Sequence, residues 1–292
     1  MFGSIKLKNK NGIVDISGKS YKNFSTLNNH AKLALHTGID EDTISIYDEW
    51  FLLDDGFYYF KVEHIIEELF LSELAHECDV RCVDFNFAFN NGSLGIISKL
   101  YREPSKEYNS YDDFCKKNFN CIVDDLGSFK VVCEVMLGND VSNRLMNDIY
   151  GLISFDIFTG QIDRYSYNVF FETFGNDIRL APMCDNGGAF SLKNDYDSCF
   201  DMLSLHDGRK NGDSFVVFTE DSVYKRQLLG LLKEEKLFLK RFERLLDVNI
   251  DDALKRTLEK HGLLLSSYRK QKIMDYFDNK KRAVECTLSL TK

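Results

Sequence analysis

The sequence predicts an α+β protein, with a mostly antiparallel, strand-rich part up to about residue 102 and a mainly helical part after it. Two observations predict this division. Short runs of β-branched and aromatic residues, bounded by turn residues, are concentrated in the first hundred residues. Apolar residues at helical spacing are prominent in the later chain. With 292 residues and 44% hydrophobic content, the chain can bury one large core or two modest ones.

The first informative element is a strand that contains a lysine. Residues 57–62 read FYYFKV, so Lys61 interrupts a run of aromatic side chains. Lysine is rare in such a run unless its charge is used. A solvated lysine on an edge strand is the alternative interpretation.

A β-hairpin is predicted next. Residues 83–89 and 93–100 are strand-like and flank Asn90, Asn91 and Gly92, which form a strong turn signal. The chain then reaches Pro104, one of only two prolines in the sequence. Because proline interrupts regular structure, Pro104 supports a boundary between the two parts.

A long apolar helix is predicted to end near Gly160. Its apolar residues recur at helical spacing, and they are Leu145, Ile149, Leu152, Ile153 and Ile157. Glycine after the last periodic residue is a helix stop signal. The residues that follow Gly160 are therefore expected to start at a buried helix end.

Three polar residues after this helix suggest phosphoryl-transfer chemistry. Asp163 is followed five positions later by Asn168, and Asp185 follows a predicted hairpin whose strands are residues 169–174 and 178–183. One carboxylate can deprotonate an acceptor hydroxyl, while the amide and second carboxylate supply the oxygen ligands that magnesium prefers. Such a spacing also occurs by chance, with both groups capping turns. The order of helix, acidic loop, hairpin and acid is more specific than any one part.

At these residues the chain resembles the HipA-like serine/threonine kinases, including the smaller bacterial relatives known as proinflammatory kinases. That family has approximately G-N-x-D-R-H-x-x-N, then a hairpin and L-x-P-x-x-D. Here residues 160–168 read GQIDRYSYN and residues 180–185 read LAPMCD. Gln161 stands in place of the usual Asn, and Tyr165 in place of the usual His. The Tyr165 replacement removes an imidazole near the proposed base.

The resemblance implies a bilobal fold akin to both protein kinases and phosphatidylinositol kinases. Residues 1–102 would form the small nucleotide-binding lobe and residues 103–292 the large helical catalytic lobe. It also implies the roles in the large lobe. Asp163 would be the catalytic base and Arg164 would brace its loop, while Asn168 and Asp185 would bind the metal.

In the small lobe, the resemblance implies that Lys61 holds the nucleotide phosphates and pairs with a glutamate on the next helix. Residues 67–75 read EELFLSELA and look like the family's E-x-x-x-x-x-L-A helix. Alignment on its last two residues selects Glu68, with Glu73 as the alternative. The end of the second hairpin strand would contact adenine through backbone groups, which implicates Ser98, Lys99 and Leu100.

The phosphate-covering loop is not identified by the sequence. Residues 12–20 look like a Walker A loop but have five residues between the glycines where that loop requires four, so a turn between strands is the preferred interpretation. Residues 37–42 are the better candidate, although one glycine and three acids make a poor anion site.

The function implied is ATP- and Mg²⁺-dependent phosphorylation of Ser or Thr hydroxyls on a protein, with the kinase itself as one candidate substrate. A small-molecule phosphotransferase and a catalytically inert nucleotide-binding module are the alternatives. Family members act beside a cognate antitoxin or as secreted effectors, so both kinds of partnership are expectations of the resemblance. The substrate is not indicated.

Composition restricts which other functions and cellular locations are possible. A net charge of −9 argues against nonspecific nucleic-acid binding, which depends on phosphate neutralisation. We expect no membrane span and no signal peptide. The eight scattered cysteines are expected to be reduced core thiols in a cytoplasmic protein. Cations within residues 233–244 and 255–281 are interleaved with acids, which is typical of solvated faces on amphipathic helices such as that predicted over residues 227–246.

Overall fold

The computed structural model describes most of the chain outside the first fifty residues. The described residues are 13–17, 20–21, 49–53, 56–62, 64–99, 106–123, 125–161, 164, 168–184, 186–190 and 221–291. Both segments considered for the phosphate-covering loop are affected, since residues 37–42 and residues 12, 18 and 19 lie outside the described ranges.

The first part of the chain forms a six-stranded, mostly antiparallel sheet. Its strands are β1 (Val14–Asp15), β2 (Ser20–Tyr21), β3 (Glu49–Leu53), β4 (Gly56–Lys61), β5 (Phe85–Asn90) and β6 (Ser93–Lys99). The strand order is β1-β5-β6-β4-β3-β2, and β1 alone runs parallel to its neighbour. The turn between β5 and β6 has left-handed Asn91 (φ 45°) and Gly92 (φ 92°), as an Asn-Gly hairpin requires.

Helix α1 (Ile65–Glu77) packs against this sheet. Ile65 and Leu69 of α1 join Phe85, Phe87 and Ile96 of β5 and β6 in one buried apolar cluster. Lys61 pairs with Ile96 across β4 and β6, so the lysine lies on the strand at the position where α1 covers the sheet. The fold thus places the end of β4 beside the first turns of α1.

The remaining chain is mainly helical. Its helices are α2 (Tyr111–Phe119), α3 (Leu126–Leu137), α4 (Asn139–Thr159), α5 (Asp221–Glu234), α6 (Lys236–Arg244), α7 (Ile250–Lys260) and α8 (Ser267–Ser289). A three-stranded antiparallel sheet accompanies them, in the order β7 (Glu107–Ser110), β8 (Phe170–Phe174) and β9 (Asp177–Leu180). The predicted α+β class, with strands first and helices afterwards, is confirmed.

Helix α4 is the central element of the larger core. From Tyr150 to Thr159 all of its residues are buried, which is expected of a helix covered by neighbours on every side. Phe114, Phe129 and Phe171 form an aromatic cluster in the same core, with ring centroids 4.3 to 6.3 Å apart. Among the described helices, none combines the length and apolarity needed to cross a membrane.

The single helix predicted over residues 227–246 is wrong. Two helices, α5 and α6, occupy this region and are separated at Glu235, whose backbone is extended (φ −108°, ψ 95°). The Glu235 carboxylate accepts two hydrogen bonds from Lys130 Nζ, at 2.7 and 2.8 Å. This tertiary ion pair lies at the break between the helices, where the amphipathic pattern alone would continue one helix.

The expectation of solvated cations fails at Lys280 on α8, which is 1% exposed. Its Nζ donates to the carbonyl of Ile157 at 3.1 Å, and the Tyr276 hydroxyl donates to the carbonyl of Thr159 at 3.0 Å. These carbonyls lie in the last turn of α4, where helix carbonyls lack intrahelical donors. Helix α8 therefore helps to cap the end of α4.

The seven described cysteines are free of disulfide bonds. Cys78, Cys115 and Cys133 are buried, and burial raises the pKa of each, to about 12, 11 and 12. Cys121 and Cys286 are exposed, so the expectation of core thiols is wrong for these two.

Gly95 should be essential to the packing of β4. A Cβ atom at this position would lie 2.5 Å from the Lys61 carbonyl oxygen and from the Phe60 ring. We predict that Gly95→Ala lowers the free energy of unfolding by about 1–3 kcal/mol, because the strand must move to accept the methyl group. Gly230→Ala in α5 is the matched control, since a Cβ atom added there would meet no atom within 4 Å; a gain of about 0.5–1 kcal/mol is expected. Chemical denaturation of both variants tests this, and equal effects would refute it.

The buried Lys280 should make stability rise with pH. Burial lowers its pKa from 10.5 to about 7. Between these values the unfolded chain holds a proton that the folded chain has released, so the free energy of unfolding increases with pH. From pH 7 to 9 this contributes on the order of 2 kcal/mol. Urea denaturation at several pH values should show the rise in the wild type and in the exposed control Lys270→Met. Lys280→Met should remove it, and an unchanged rise would contradict the assignment.

Candidate active site

The loop that carries Asp163 begins at a well-defined helix end. Helix α4 ends at Thr159, and Gly160 adopts the left-handed conformation (φ 67°) that commonly terminates helices. The backbone N–H of Gln161 donates to the backbone carbonyl of Asp156 at 2.9 Å, which closes the last turn of the helix. Asp163 itself lies outside the described residues, whereas Arg164 is described and is fully buried.

Arg164 is held by a carboxylate from the helix that precedes it. Arg164 Nε and Nη2 donate to the two oxygens of Asp156, each at 3.1 Å, and both side chains are 0% exposed. This two-pronged contact matches the planar guanidinium to an ionised carboxylate. Burial raises the pKa of Asp156, and the adjacent guanidinium opposes that shift. Helix α4 thus anchors the residue directly after Asp163.

The same guanidinium reaches the chain on both sides of Asp185. Arg164 Nη1 donates to the Cys184 carbonyl at 2.7 Å, and Nη2 donates to the side-chain oxygen of Asn186 at 2.8 Å. Asp185 lies outside the described residues, but its two covalent neighbours are fixed to Arg164. The segments that carry Asp163 and Asp185 are therefore connected through one buried side chain.

The predicted hairpin between Asn168 and Asp185 is present as β8 and β9. The Ala181 amide donates to the Phe170 carbonyl at 2.8 Å, which extends the pairing beyond β9. Farther along, the Met183 amide donates to the carbonyl of Arg81 and the Met183 carbonyl accepts from the amide of Val83. Asn168 is half-buried just before β8. The hairpin returns the chain toward Asn168 and also attaches it to the connection between α1 and β5.

Lys61 and Glu68 form a buried ion pair. Lys61 Nζ lies 2.6 Å from Glu68 Oε1, and both side chains are almost completely shielded from solvent. The connection between β4 and α1 is short because His64 adopts a left-handed conformation (φ 50°) and Ile65 immediately begins the helix. The first helical hydrogen bond runs from the Glu68 amide to the His64 carbonyl. Glu68 consequently lies one turn into α1, facing Lys61.

Glu73 lies on a different side of α1. It is buried rather than solvated, and its carboxylate contacts Lys260 Nζ at 2.7 Å and Arg256 Nε at 3.7 Å. The alternative partner, Glu73, thus contacts α7, whereas Lys61 pairs with Glu68. Its position is explained by α7, whose basic residues cover that side of α1.

Asn186 connects the Lys61–Glu68 pair to the large helical part. Glu68 Oε1 accepts a hydrogen bond from the backbone nitrogen of Asn186 at 2.9 Å, and Glu68 Oε2 accepts one from the side-chain nitrogen Nδ2 of Asn186 at 3.2 Å. A continuous chain of contacts thus runs through Lys61, Glu68, Asn186, Arg164 and Asp156. We call this chain the buried polar network. Two positive and two negative side chains balance within it, and its hydrogen bonds offset part of the cost of burying these charges.

Two members of the buried polar network, Asn186 and Asp156, were not predicted from the sequence. Asp156 offered one local signal, because it is an acid within the apolar run ISFDIF of α4. Asn186 offered none beyond its place next to Asp185.

Ser98 and Lys99 lie where β6 loses one of its neighbours. The pairing of β5 with β6 extends to Phe85 and Ser98, whereas the pairing of β4 with β6 continues to Tyr58 and Lys99. Ser98 is buried and Lys99 is exposed. Leu100, the third residue implicated in nucleotide contact, lies outside the described residues.

The described residues can provide a buried cation at the site but not a complete metal site. Lys61 offers an ammonium group, which suits phosphate oxygens, at the edge of the buried polar network. Asn168 offers an amide oxygen. Within the described ranges no group of three or more His, Cys, Asp or Glu side chains is arranged to hold a metal, and both Asp163 and Asp185 fall outside those ranges.

No protein-family model matches the sequence, and a search of curated proteins also finds no match. Solved structures do match. The crystal structure of a Helicobacter pylori proinflammatory kinase, CtkA, is similar with a TM-score of 0.61 and 10% identity, over 96% of this chain and 98% of that one. HipA of a Shewanella oneidensis MR-1 toxin–antitoxin system, in complex with HipB and operator DNA, has a TM-score of 0.49 and 12% identity, over 80% and 58%. The near-complete overlap with CtkA shows that this chain has a kinase-like fold.

Proposed function

We propose that this protein is an ATP- and Mg²⁺-dependent kinase that phosphorylates Ser or Thr hydroxyls on a protein. The observation that carries the proposal is the buried polar network. It holds Lys61 beside Glu68 and ties both to the residues next to Asp163 and Asp185. Phosphoryl transfer requires a lysine, a carboxylate base and a metal-binding carboxylate in one place, and the network supports this by joining Lys61 to the neighbours of Asp163 and Asp185.

Each residue has a distinct proposed role. Asp163 orients the acceptor hydroxyl and takes its proton, and Arg164 holds the loop of that base in place. Lys61 binds the α- and β-phosphates, and Glu68 orients Lys61. A bound magnesium ion would neutralise charge on the phosphates, with Asn168 and Asp185 as its protein ligands.

The adenine site is proposed at the end of β6. Ser98, Lys99 and Leu100 would offer backbone groups to the base where β5 no longer pairs with β6. In this arrangement residues 1–102 form the nucleotide-binding lobe and residues 103–292 the catalytic lobe. The antitoxin partner remains an expectation of the family resemblance, and the cytoplasmic location remains an expectation from the cysteine usage.

The ion pair of Lys61 provides the first test. We predict that Lys61→Met lowers the rate of phosphotransfer by about 10²-fold or more, because a fixed charge on the phosphates is lost. The variant should stay folded at low temperature, since Glu68 still accepts two hydrogen bonds from Asn186. Transfer from γ-labelled ATP to the protein itself is the measurement. Lys260→Met is the matched control, because it breaks a similar lysine–glutamate pair on the other side of α1. Equal loss in both variants would show that α1 packing, rather than phosphate binding, is affected.

The two acids should separate nucleotide binding from transfer. Asp163→Ala should retain thermal stabilisation by Mg·ATP while transfer falls by about 10²- to 10⁴-fold, because the base contacts the acceptor and not the nucleotide. Asp185→Asn should lose the magnesium-dependent part of that stabilisation, because one charge leaves the metal site. Differential scanning fluorimetry with ATP, with and without Mg²⁺, measures both. Stabilisation of the wild type without any transfer would instead favour an inert nucleotide-binding module.

A further inference from the structure

Asn186 occupies a position where only a neutral amide satisfies every neighbour. It is 1% exposed and lies between the guanidinium of Arg164 and the carboxylate of Glu68. Its side-chain oxygen accepts from Arg164, and its Nδ2 donates to Glu68. The opposite orientation of the amide would set donor against donor and acceptor against acceptor, so these two charged neighbours fix the amide.

The two oxygens of Glu68 have different partners. Oε1 accepts from both Lys61 Nζ and the Asn186 backbone nitrogen, whereas Oε2 accepts from the Asn186 side chain. The carboxylate that orients Lys61 is thus held by both donor groups of residue 186. Any displacement of this residue should be transmitted to Lys61 through one shared oxygen.

The next residue brings the backbone close to the same end of α1. A Cβ atom on Gly187 would lie 2.9 to 3.3 Å from three atoms of the His64 side chain. Real Cβ atoms rarely approach so closely, so the backbone at residue 187 fits against the helix start only because it lacks a side chain. Residues 186 and 187 therefore form one packed contact with the first turn of α1.

Resting on the proposed function, we propose that Asn186 is a positioning residue for phosphoryl transfer. It joins Glu68 and Lys61 to the backbone that carries Asp185, so that the phosphate-binding lysine and the metal-binding acid keep a fixed separation. Arg164 already holds Cys184 and Asn186 to the loop of Asp163. The amide of Asn186 adds the connection from this assembly to β4 and α1.

A reciprocal exchange tests the connection. In Asn186→Asp, a carboxylate oxygen replaces Nδ2 and faces Glu68 Oε2, so that acceptor lies against acceptor. In Glu68→Gln, Oε1 can keep Lys61 and the Asn186 backbone nitrogen, but the new amide faces Asn186 Nδ2 as donor against donor. The double variant restores a donor–acceptor pair at this contact and also restores the charge balance of the network. We expect each single variant to lose about tenfold or more in transfer rate, and the double variant to recover about tenfold relative to Asn186→Asp.

The measurement separates positioning from stability. Transfer from γ-labelled ATP to the protein, and thermal stabilisation by Mg·ATP, are recorded at a temperature where circular dichroism shows each variant to be folded. A purely structural role predicts wild-type values under these conditions. Asn186→Ser is a second variant that removes the amide without adding charge, and the same loss is expected. Glu73→Gln is the control on α1, because Lys260 can still donate to the amide oxygen.

The outcomes differ between the two proposals. Folded Asn186→Asp and Asn186→Ser proteins that transfer phosphate at the wild-type rate overturn the role of Asn186 and leave the kinase proposal standing. Two impaired single variants with no recovery in the double variant also overturn it. A wild-type protein that shows neither transfer nor Mg·ATP stabilisation overturns the kinase proposal, and the positioning role with it.

Discussion

Arg164 is fully buried, and a guanidinium removed from water must find its acceptors within the protein. Asp156, Cys184 and Asn186 supply them. These acceptors come from the end of α4 and from the chain after β9, so neither segment can move without leaving a buried charge unsatisfied. Loss of one partner from such a pair typically costs about 3–5 kcal/mol. The arrangement of the candidate site depends on this requirement.

The requirement extends into the six-stranded sheet. Asn186, which is held by Arg164, donates hydrogen bonds to Glu68, and Glu68 in turn holds Lys61 at the end of β4. Apolar packing between α1 and the sheet sets the approximate position of these elements. Hydrogen bonds are directional, so the buried polar network sets the finer alignment that apolar contacts do not specify.

Helix α4 has a second set of contacts at the same end. Lys280 and Tyr276 of α8 donate to the carbonyls of Ile157 and Thr159, while the Phe190 amide also donates to Thr159. Helix α8 is thereby connected to the last turn of α4, after which the chain continues to Asp163. These contacts hold the helix end that precedes Asp163 in the chain.

The sequence by itself determined the features that depend on neighbouring residues. The Asn91–Gly92 turn, the end of α4 at Gly160, the hairpin before Asp185 and the lysine in an aromatic strand all follow from local conformational preference and spacing. The motif resemblance predicted the kinase-like fold and selected Glu68 as the partner of Lys61. The roles of Asp163, Asn168 and Asp185 remain predictions.

Only the tertiary structure decided that Glu73 faces α7, that Glu235 separates two helices, and that Asn186 and Asp156 complete the network. The contact of Asn186 with Glu68 joins positions 118 residues apart. No local pattern encodes such a pair, because it exists only after packing has removed both groups from water.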